Sequence, residues 1–492
     1  MESVKRNFVY NVAYQILVIL LPLITAPYIS RTLGAEAIGV YSYTNSIAYY
    51  FLMFAMLGIS NHGNRSIAAV RDNKATLNRT FSSIYYLQAC TFIISIIAYC
   101  IYVFFFVQEN QVVALLQVIY VASGLLDISW LFFGLEKFKL TVVRNALIKV
   151  GTVICMFIFV HDRLDLWKYT LIMSGGTFLS QAYLWLYVKK EVKFVKVSIR
   201  DIIRNVKPVL ILFVPVIAYS IYKVMDKIML GNMSTYVDVG YYQNAEKIIN
   251  VPMGIVTALG TVMLPRMSNV IAMGNREKTV QYIRVSVKFV TLMCSAIVFG
   301  LIGIAPVLAP VYLGKDFVAC SSIISLLSVT VFFIAWANVI RTQYLIPYKF
   351  DNIYLLSTII GAALNFIINC ALIPTYQSNG AAIGTIVAEF SVMFVQAIAV
   401  RKELYIWKYI VRYIPVIGIG FMMMVIVRYI GMVMGNNVIT LITQVGIGAV
   451  FFCLLTLLYL MLSKDEIYII IKETIFLQLK KIMKFRIGHN KN

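Results

Sequence analysis

Charged residues are scarce in this sequence, and their scarcity excludes a soluble protein. Of the 492 residues, 13% are charged and 61% are hydrophobic. A soluble chain of this length could not cover its surface with so few polar groups. The composition therefore predicts a polytopic membrane protein.

Acidic residues are the scarcer charged kind, with 21 Asp and Glu against 43 Lys and Arg. The resulting net charge of +22 could indicate nucleic-acid binding. The basic residues, however, lie between long apolar runs, where Lys and Arg act as topology signals. We therefore predict that the chain has no nucleic-acid partner.

Groups that carry chemistry are also few. The seven cysteines form no CxxC motif and no Cys/His cluster, and the three histidines fall in predicted loops or tails. The sequence has no Ser/His/Asp group, no metal-binding motif and no glycine-rich phosphate loop. We predict no catalytic residue, no metal site and no cofactor, and hence a protein that is not an enzyme.

Long apolar runs are what the sequence does contain. A bilayer core needs about 20 helical residues, and the runs lack the ten-residue alternation of a membrane barrel. We predict an all-α fold with about 14 transmembrane helices. The predicted spans are 8–31, 38–60, 83–107, 112–134, 141–160, 167–188, 208–231, 240–264, 284–313, 318–341, 353–373, 380–400, 409–431 and 438–462.

The distribution of basic residues predicts the orientation. With the N-terminus inside, the outer side receives only four of the 43 Lys and Arg residues, namely Arg31, Arg163, Lys168 and Lys315. Cytoplasmic loops carry such an excess of Lys and Arg. We predict that both termini are cytoplasmic.

The chain also repeats itself. Short motifs recur in the two halves in the same order: Leu33-Gly34, Gly39-Val40-Tyr41 and Lys137-Phe138 in the first, and Leu230-Gly231, Gly240-Tyr241-Tyr242 and Lys349-Phe350 in the second. Because each unit holds an even number of spans, the two are parallel. We predict two six-helix repeats at 1–190 and 208–403, a cytoplasmic amphipathic linker at 191–207, two additional helices at 404–463 and a basic amphipathic cytoplasmic tail at 464–492.

Both basic segments, the linker and the tail, alternate apolar and cationic residues at helical spacing. Such a helix binds in the plane of an anionic leaflet. Anionic membrane lipids are therefore predicted partners.

The stretch 214–231 within span 7 holds the strongest candidate site. Tyr219, Lys223, Asp226 and Lys227 fall within an arc of about 100° on a helical wheel. Each ion would cost about 2.5–3.5 kcal/mol in lipid. Asp226 can pair with Lys223 at i, i+3, which would leave Lys227 free. The stripe is either a buried structural pair with Lys227 reaching the interface, or the cationic wall of a water-filled cavity.

Further intramembrane charges extend this site. Arg31 is either an interfacial anchor or an anion contact, and Lys247 either reaches the membrane interface or binds substrate. Glu246 and Lys247 point about 100° apart, so at most one faces a cavity. Glu389 is either a proton site or the partner of a Lys on another span. Glu389, Asp226 and Glu246 are the candidates for coupling to an ion.

Span 1 carries an uncharged polar stripe on a comparable arc. Its members are Asn11, Tyr14, Gln15, Pro22 and Thr25. The proline removes a backbone donor and favours a kink. We predict that spans 1 and 7 line one cavity, with the charged side in the second half.

The repeated motifs also resemble a known family. The run 27–34, with Gly39-Val40-Tyr41 and Gly58, resembles the N-terminal signature of bacterial polysaccharide repeat-unit flippases. The second-half motifs at 240–247 and 264–268 are similar to the corresponding pattern. These flippases belong to the multidrug, oligosaccharidyl-lipid and polysaccharide exporter superfamily.

The resemblance implies a function that the charges fit. It implies a flippase of the bacterial cytoplasmic membrane that carries an undecaprenyl-pyrophosphate-linked oligosaccharide to the outer leaflet by alternating access, for O-antigen or capsule export. It implies polymerase and chain-length proteins of the same pathway as partners. Three alternatives stay open: a drug/cation antiporter of the same superfamily, a membrane-embedded polysaccharide polymerase or glycosyltransferase, and a structural or assembly scaffold. A scaffold would not need charged stripes inside its spans.

Overall fold

The fold is helical throughout the part of the chain that the structure describes. A computed structural model describes the backbone of residues 2–469 and 472, and their side chains except those of 2–19, 138, 218, 219 and 221–223. No strand occurs in these ranges. The helices are α1 (Glu2–Met56), α2 (Ile59–Val70), α3 (Lys74–Phe106), α4 (Gln111–Ser123), α5 (Ser129–Gly134), α6 (Phe138–Phe159), α7 (Leu166–Glu191), α8 (Ile199–Met233), α9 (Tyr236–Ala272), α10 (Arg276–Leu308), α11 (Cys320–Ile340), α12 (Asp351–Ala399), α13 (Ile406–Arg412), α14 (Ile414–Met434) and α15 (Val438–Leu462).

Two of the helices are long because each is two helices joined at one residue. In α1 the break is Gly34, with φ +80° and ψ 174°. In α12 it is Gln377, with φ +52° and ψ −132°. Glycine adopts such a positive φ without a steric penalty, whereas glutamine does not. Each break turns the chain between two predicted spans.

Counted in this way, each of the fourteen predicted spans overlaps a helix or one arm of α1 or α12. By length and apolar composition alone, nine stretches among the described residues are able to cross a membrane. The prediction of an all-α, multi-pass membrane protein is confirmed.

The helix of span 4 is interrupted, and a buried glutamine hydrogen-bonds the backbone groups at the interruption. The chain leaves α4 through a 3₁₀ turn at Gly124–Leu126 before α5 begins. The Gln88 amide donates to the carbonyl oxygens of Gly124 and Asp127 at 2.8 and 2.9 Å, and its own oxygen accepts from the Trp130 indole at 3.0 Å. Because lipid offers no hydrogen bonds, such a break needs partners from the protein itself.

The chain packs as two compact units. The first comprises Met1–Lys247 and Phe366–Ala381, and the second comprises Ile248–Asn365 and Ala382–Asn492. The core of the first includes Phe81, Trp130 and Phe132, and that of the second includes Tyr413 and Phe452. These units are defined by packing, whereas the six-helix repeats are defined by recurring sequence motifs. The boundaries of the repeats therefore stay a prediction.

The linker at 191–207 differs from the separate in-plane helix that was predicted. Residues 192–198 are not helical, and α8 begins at Ile199 and continues directly into the span. Ser198 and Asp201 form a capping box that starts the helix at this point. The helical spacing of apolar and basic residues in the linker therefore corresponds to a helix only from Ile199 onwards. Most of the predicted tail at 464–492 lies outside the described residues.

Candidate functional site

Asp226 is buried in the first unit and accepts hydrogen bonds from the side chains of Tyr242 and Asn369. Its carboxylate oxygens accept from the Tyr242 hydroxyl and from the Asn369 amide, both at 2.6 Å. Only 3% of Asp226 is exposed. Buried carboxylates are costly unless such donors compensate for lost water. Three helices, α8, α9 and α12, thus meet at one carboxylate.

Lys227, the neighbour of Asp226, is ion-paired. Its ammonium lies 2.8 Å from the Glu246 carboxylate of α9, and the two side chains are 13% and 21% exposed. The expectation that Lys227 would be free is wrong. Spacing within one helix could not reveal the acid, because it belongs to another helix.

Lys247, and not Lys227, is the lysine that forms no described ion pair. Its side chain is half-buried on α9, and no hydrogen bond or ion pair joins it to another residue that the structure describes. It follows Glu246 directly and so points to a different side of the helix. Lys247 is therefore a cation of this region that no described hydrogen bond or ion pair holds.

Two of the predicted site residues cannot be placed by their side chains. Tyr219 and Lys223 belong to α8, but their side chains lie outside those that the structure describes. The same holds for Asn11, Tyr14 and Gln15 of span 1. Their roles stay predictions.

Arg31 lies near the break between the arms of α1. Its side chain is exposed, and Tyr28, one turn earlier, donates to the Val160 carbonyl oxygen at 2.6 Å. The Arg163 side chain packs against Gly34 at this break. The α6–α7 connection therefore contacts the turn that carries Arg31.

Glu389 belongs to the second unit and is half-buried on α12. Within the part of the chain that the structure describes, no hydrogen bond or ion pair holds its carboxylate. The alternative in which a Lys of another span neutralises it finds no such Lys among the described side chains. The interpretation as a proton site stays a prediction.

A tyrosine-lined cavity of about 250 Å³ lies in the first unit. The rings of Tyr43 and Tyr236 are 5.5 Å apart and edge-to-face. The rings of Tyr102 and Phe106 are nearly parallel at 6.2 Å. Glu109, which is exposed, also lines the cavity. Ring faces with a carboxylate nearby can hold either a sugar or an organic cation.

Sequence reasoning missed several of these contacts. In the sequence, Tyr242 is visible only as part of a repeated motif. Glu109 was not noted, because an acid in a short loop gives no signal. The signal that could have found Tyr242 was its position in a motif of the same half as Asp226.

The chain is similar in sequence to known proteins. Residues 4–271 match the profile of the family described as polysaccharide biosynthesis protein. A protein of Escherichia coli (strain K12) named "Putative O-antigen transporter" is 25% identical over 405 residues, 82% of this chain and 97% of the relative. A protein of the same name from Shigella dysenteriae is 23% identical over 388 residues, 78% and 96% of the two chains.

Two solved structures share the fold. The lipid II flippase MurJ in an inward closed conformation superposes with a TM-score of 0.75 at 14% identity, covering 93% of this chain and 99% of that chain. An inward-facing MATE family multidrug resistance transporter superposes with a TM-score of 0.57 at 15% identity, covering 80% and 98%. At these identities the likeness concerns the fold alone.

Proposed function

Because this chain belongs to the polysaccharide biosynthesis protein family, we propose that it is a flippase for an undecaprenyl-pyrophosphate-linked oligosaccharide. The observation that carries the proposal is Lys247, a half-buried cation in a membrane helix that no described hydrogen bond or ion pair holds. Such a charge is costly in the membrane and marks a substrate pathway by default. The names of the bacterial relatives and the shared fold support the assignment.

The head group of the substrate is the part that Lys247 would bind. A pyrophosphate is anionic, and charge-assisted hydrogen bonds to phosphate oxygens are roughly twice as strong as neutral ones. Lys223 and Arg31 are further candidates for this contact. Lys227 contributes through its ion pair with Glu246, which substrate phosphate would compete to open.

The sugars would bind the tyrosine-lined cavity. Its rings offer faces for the apolar side of a pyranose, and Glu109 offers acceptors for hydroxyl groups. Ser42 of α1 donates to Gln243 of α9 at 2.8 Å, and Tyr43 donates to Asn232 of α8 at 2.7 Å. Alternating access would require these contacts to open.

Transport would be driven by an ion rather than by ATP. Asp226, Glu389 and Glu246 are the candidate coupling residues. The neutral donors Tyr242 and Asn369 both hydrogen-bond to Asp226, so a bound cation or proton would change its hydrogen bonding directly. Glu246 would couple through Lys227. Glu389 would act alone.

The protein would lie in the bacterial cytoplasmic membrane with both termini inside, as the distribution of basic residues predicts. It would deliver the repeat unit to a polymerase and chain-length proteins, and would itself perform no chemistry. Its role would be transport for cell-surface polysaccharide.

Flipping by the purified protein in proteoliposomes tests the proposal. Lys247→Met should slow translocation by about tenfold to hundredfold, because a hydrogen bond to a charged group contributes about 1.5–3 kcal/mol. Lys247→Arg should retain most of the rate. Lys278→Met, at an exposed helix position, is the matched control. Wild-type rates for Lys247→Met would remove the site, and no flipping by the wild type would remove the function.

A drug/cation antiporter is the second candidate, and Glu109 is the observation that favours it. A carboxylate beside tyrosine rings is a setting for an organic cation. Tight binding of such a cation by the wild type, lost in Glu109→Gln, would promote this candidate over the flippase.

A further inference from the structure

A second pocket, of about 500 Å³, lies between α2 and the start of α8. It is distinct from the site around Asp226 and from the tyrosine-lined cavity. We call it the basic pocket. It is lined by His62, Arg65, Arg204, Lys207, Pro208, Ile211 and Leu212.

The fold holds the walls of the basic pocket in place. Gly58, just before α2, lies so close to α8 that a Cβ there would be 2.3 Å from the Val209 carbonyl oxygen. His62 of α2 hydrogen-bonds to Asn205 of α8 at 2.9 Å, and Asn205 in turn donates to Ser83 at 3.3 Å. The two helices are therefore fixed at one point, and the pocket lies beside it.

The charge of the basic pocket is not neutralised by its surroundings. Arg65, Arg204 and Lys207 are exposed, and none forms an ion pair with another residue that the structure describes. The nearest acid along α8, Asp201, is bound by Arg79 in a bidentate pair with a shortest contact of 2.9 Å. The basic pocket is therefore ready for an anion that the protein itself does not supply.

One wall of the basic pocket is apolar. Ile211 is 61% exposed, and Pro208 and Leu212 line the pocket beside it. Small free anions gain nothing from such a wall, whereas an amphiphile can place its chain there and its head group on the arginines. The combination fits a lipid that carries a phosphate.

We propose that the basic pocket binds the phosphate-bearing head group of the lipid-linked substrate before translocation. This assignment rests on the proposed function, which puts the substrate in the cytoplasmic leaflet. The predicted topology puts the α2 region and the 191–207 linker at that leaflet. The pocket is then a loading site, separate from the translocation site at Lys247.

Binding by the full chain in phosphatidylcholine nanodiscs tests the proposal directly. The probes are undecaprenyl pyrophosphate, phosphatidylglycerol and inorganic pyrophosphate. Arg65→Gln combined with Arg204→Gln should weaken undecaprenyl pyrophosphate binding by roughly thirtyfold, since each basic residue contributes about 1 kcal/mol towards an anionic lipid. Lys278→Gln combined with Lys402→Gln removes the same charge from exposed positions that do not line the pocket, and should bind as wild type.

Each outcome of the binding experiment either supports or overturns the proposed loading site. Unchanged binding by the pocket variant, with both variants eluting as folded monodisperse protein, overturns the site. Equally tight phosphatidylglycerol binding with the same loss would make it a general phospholipid site and overturn the loading role. Full competition by inorganic pyrophosphate would overturn the contribution of the apolar wall. Because no transport is measured, a wild type that binds but does not flip would refute the proposed function and leave the pocket standing.

Discussion

Gly39 of α1 and Gly240 of α9 bring the backbones of their helices into direct contact. A Cβ at Gly39 would lie 1.6 Å from the Tyr236 carbonyl oxygen, and a Cβ at Gly240 would lie 2.0 Å from the Ala35 carbonyl oxygen. Each glycine faces the carbonyl four residues before the other. The two copies of the repeated glycine-tyrosine motif thus contact each other reciprocally, at positions where only glycine fits.

Replacing Gly240 with alanine should therefore force these two helices apart. Overpacking of this kind costs about 1–3 kcal/mol, and we expect a lower melting temperature for the purified protein. Gly175→Ala is the matched control, because no heavy atom lies within 4 Å of a Cβ at that helical position. A Gly240→Ala protein that melts with the control would show that the close contact is not needed.

The same glycines show what the sequence could and could not predict. Spans follow from local apolar runs, so the helices of the fold were predictable one by one. The recurrence of Gly39 and Gly240 was also visible, but nothing local says that the two copies touch. Contacts between distant helices need the packed structure.

The candidate site, too, could be predicted from the sequence only in part. Asp226 and Lys227 were predictable as costly ions in an apolar helix. The partner of Lys227 was not, because Glu246 lies on the next helix and was considered only against Lys247. The sequence therefore favours Lys227, which is ion-paired, over Lys247, which no described hydrogen bond or ion pair holds.

The ion pair of Lys227 and Glu246 should show strong coupling in a double-mutant cycle. Glu246→Leu leaves a mostly buried ammonium without its acid, which costs about 3–5 kcal/mol when a buried pair is broken. Lys227→Met with Glu246→Leu removes both charges and should recover most of the stability. Thermal unfolding in detergent measures Lys227→Met, Glu246→Leu and the double variant. Additive losses would mean that the pair contributes no coupling.

Glu389 should matter for energy coupling rather than for stability. Since no described side chain pairs with its carboxylate, Glu389→Gln should leave the melting temperature nearly unchanged and abolish any acceleration of flipping by a proton gradient. Glu277→Gln, at an exposed position at the start of α10, is the control. An unchanged response to the gradient in Glu389→Gln would exclude it as the coupling residue.

Acid should loosen the segment that follows α15, because its anchor is a buried carboxylate. Asp465 lies 3.1 Å from the Lys288 ammonium and accepts from the Tyr413 hydroxyl at 2.9 Å. Burial by itself would raise the pKa of Asp465, but the Ile467 amide, Tyr413 and Lys288 together hold it below the ordinary 3.8.

A depressed pKa stabilises the fold above the unfolded-state pKa, and this stability is lost as pH falls through the folded-state value. Unfolding followed by fluorescence should therefore show a loss that begins below about pH 4. Asp465→Asn should be less stable at neutral pH, because Lys288 keeps only Glu466 at 3.3 Å, and should lack the part of the acid loss that Asp465 causes. Equal acid sensitivity in the two proteins would place the titrating group elsewhere.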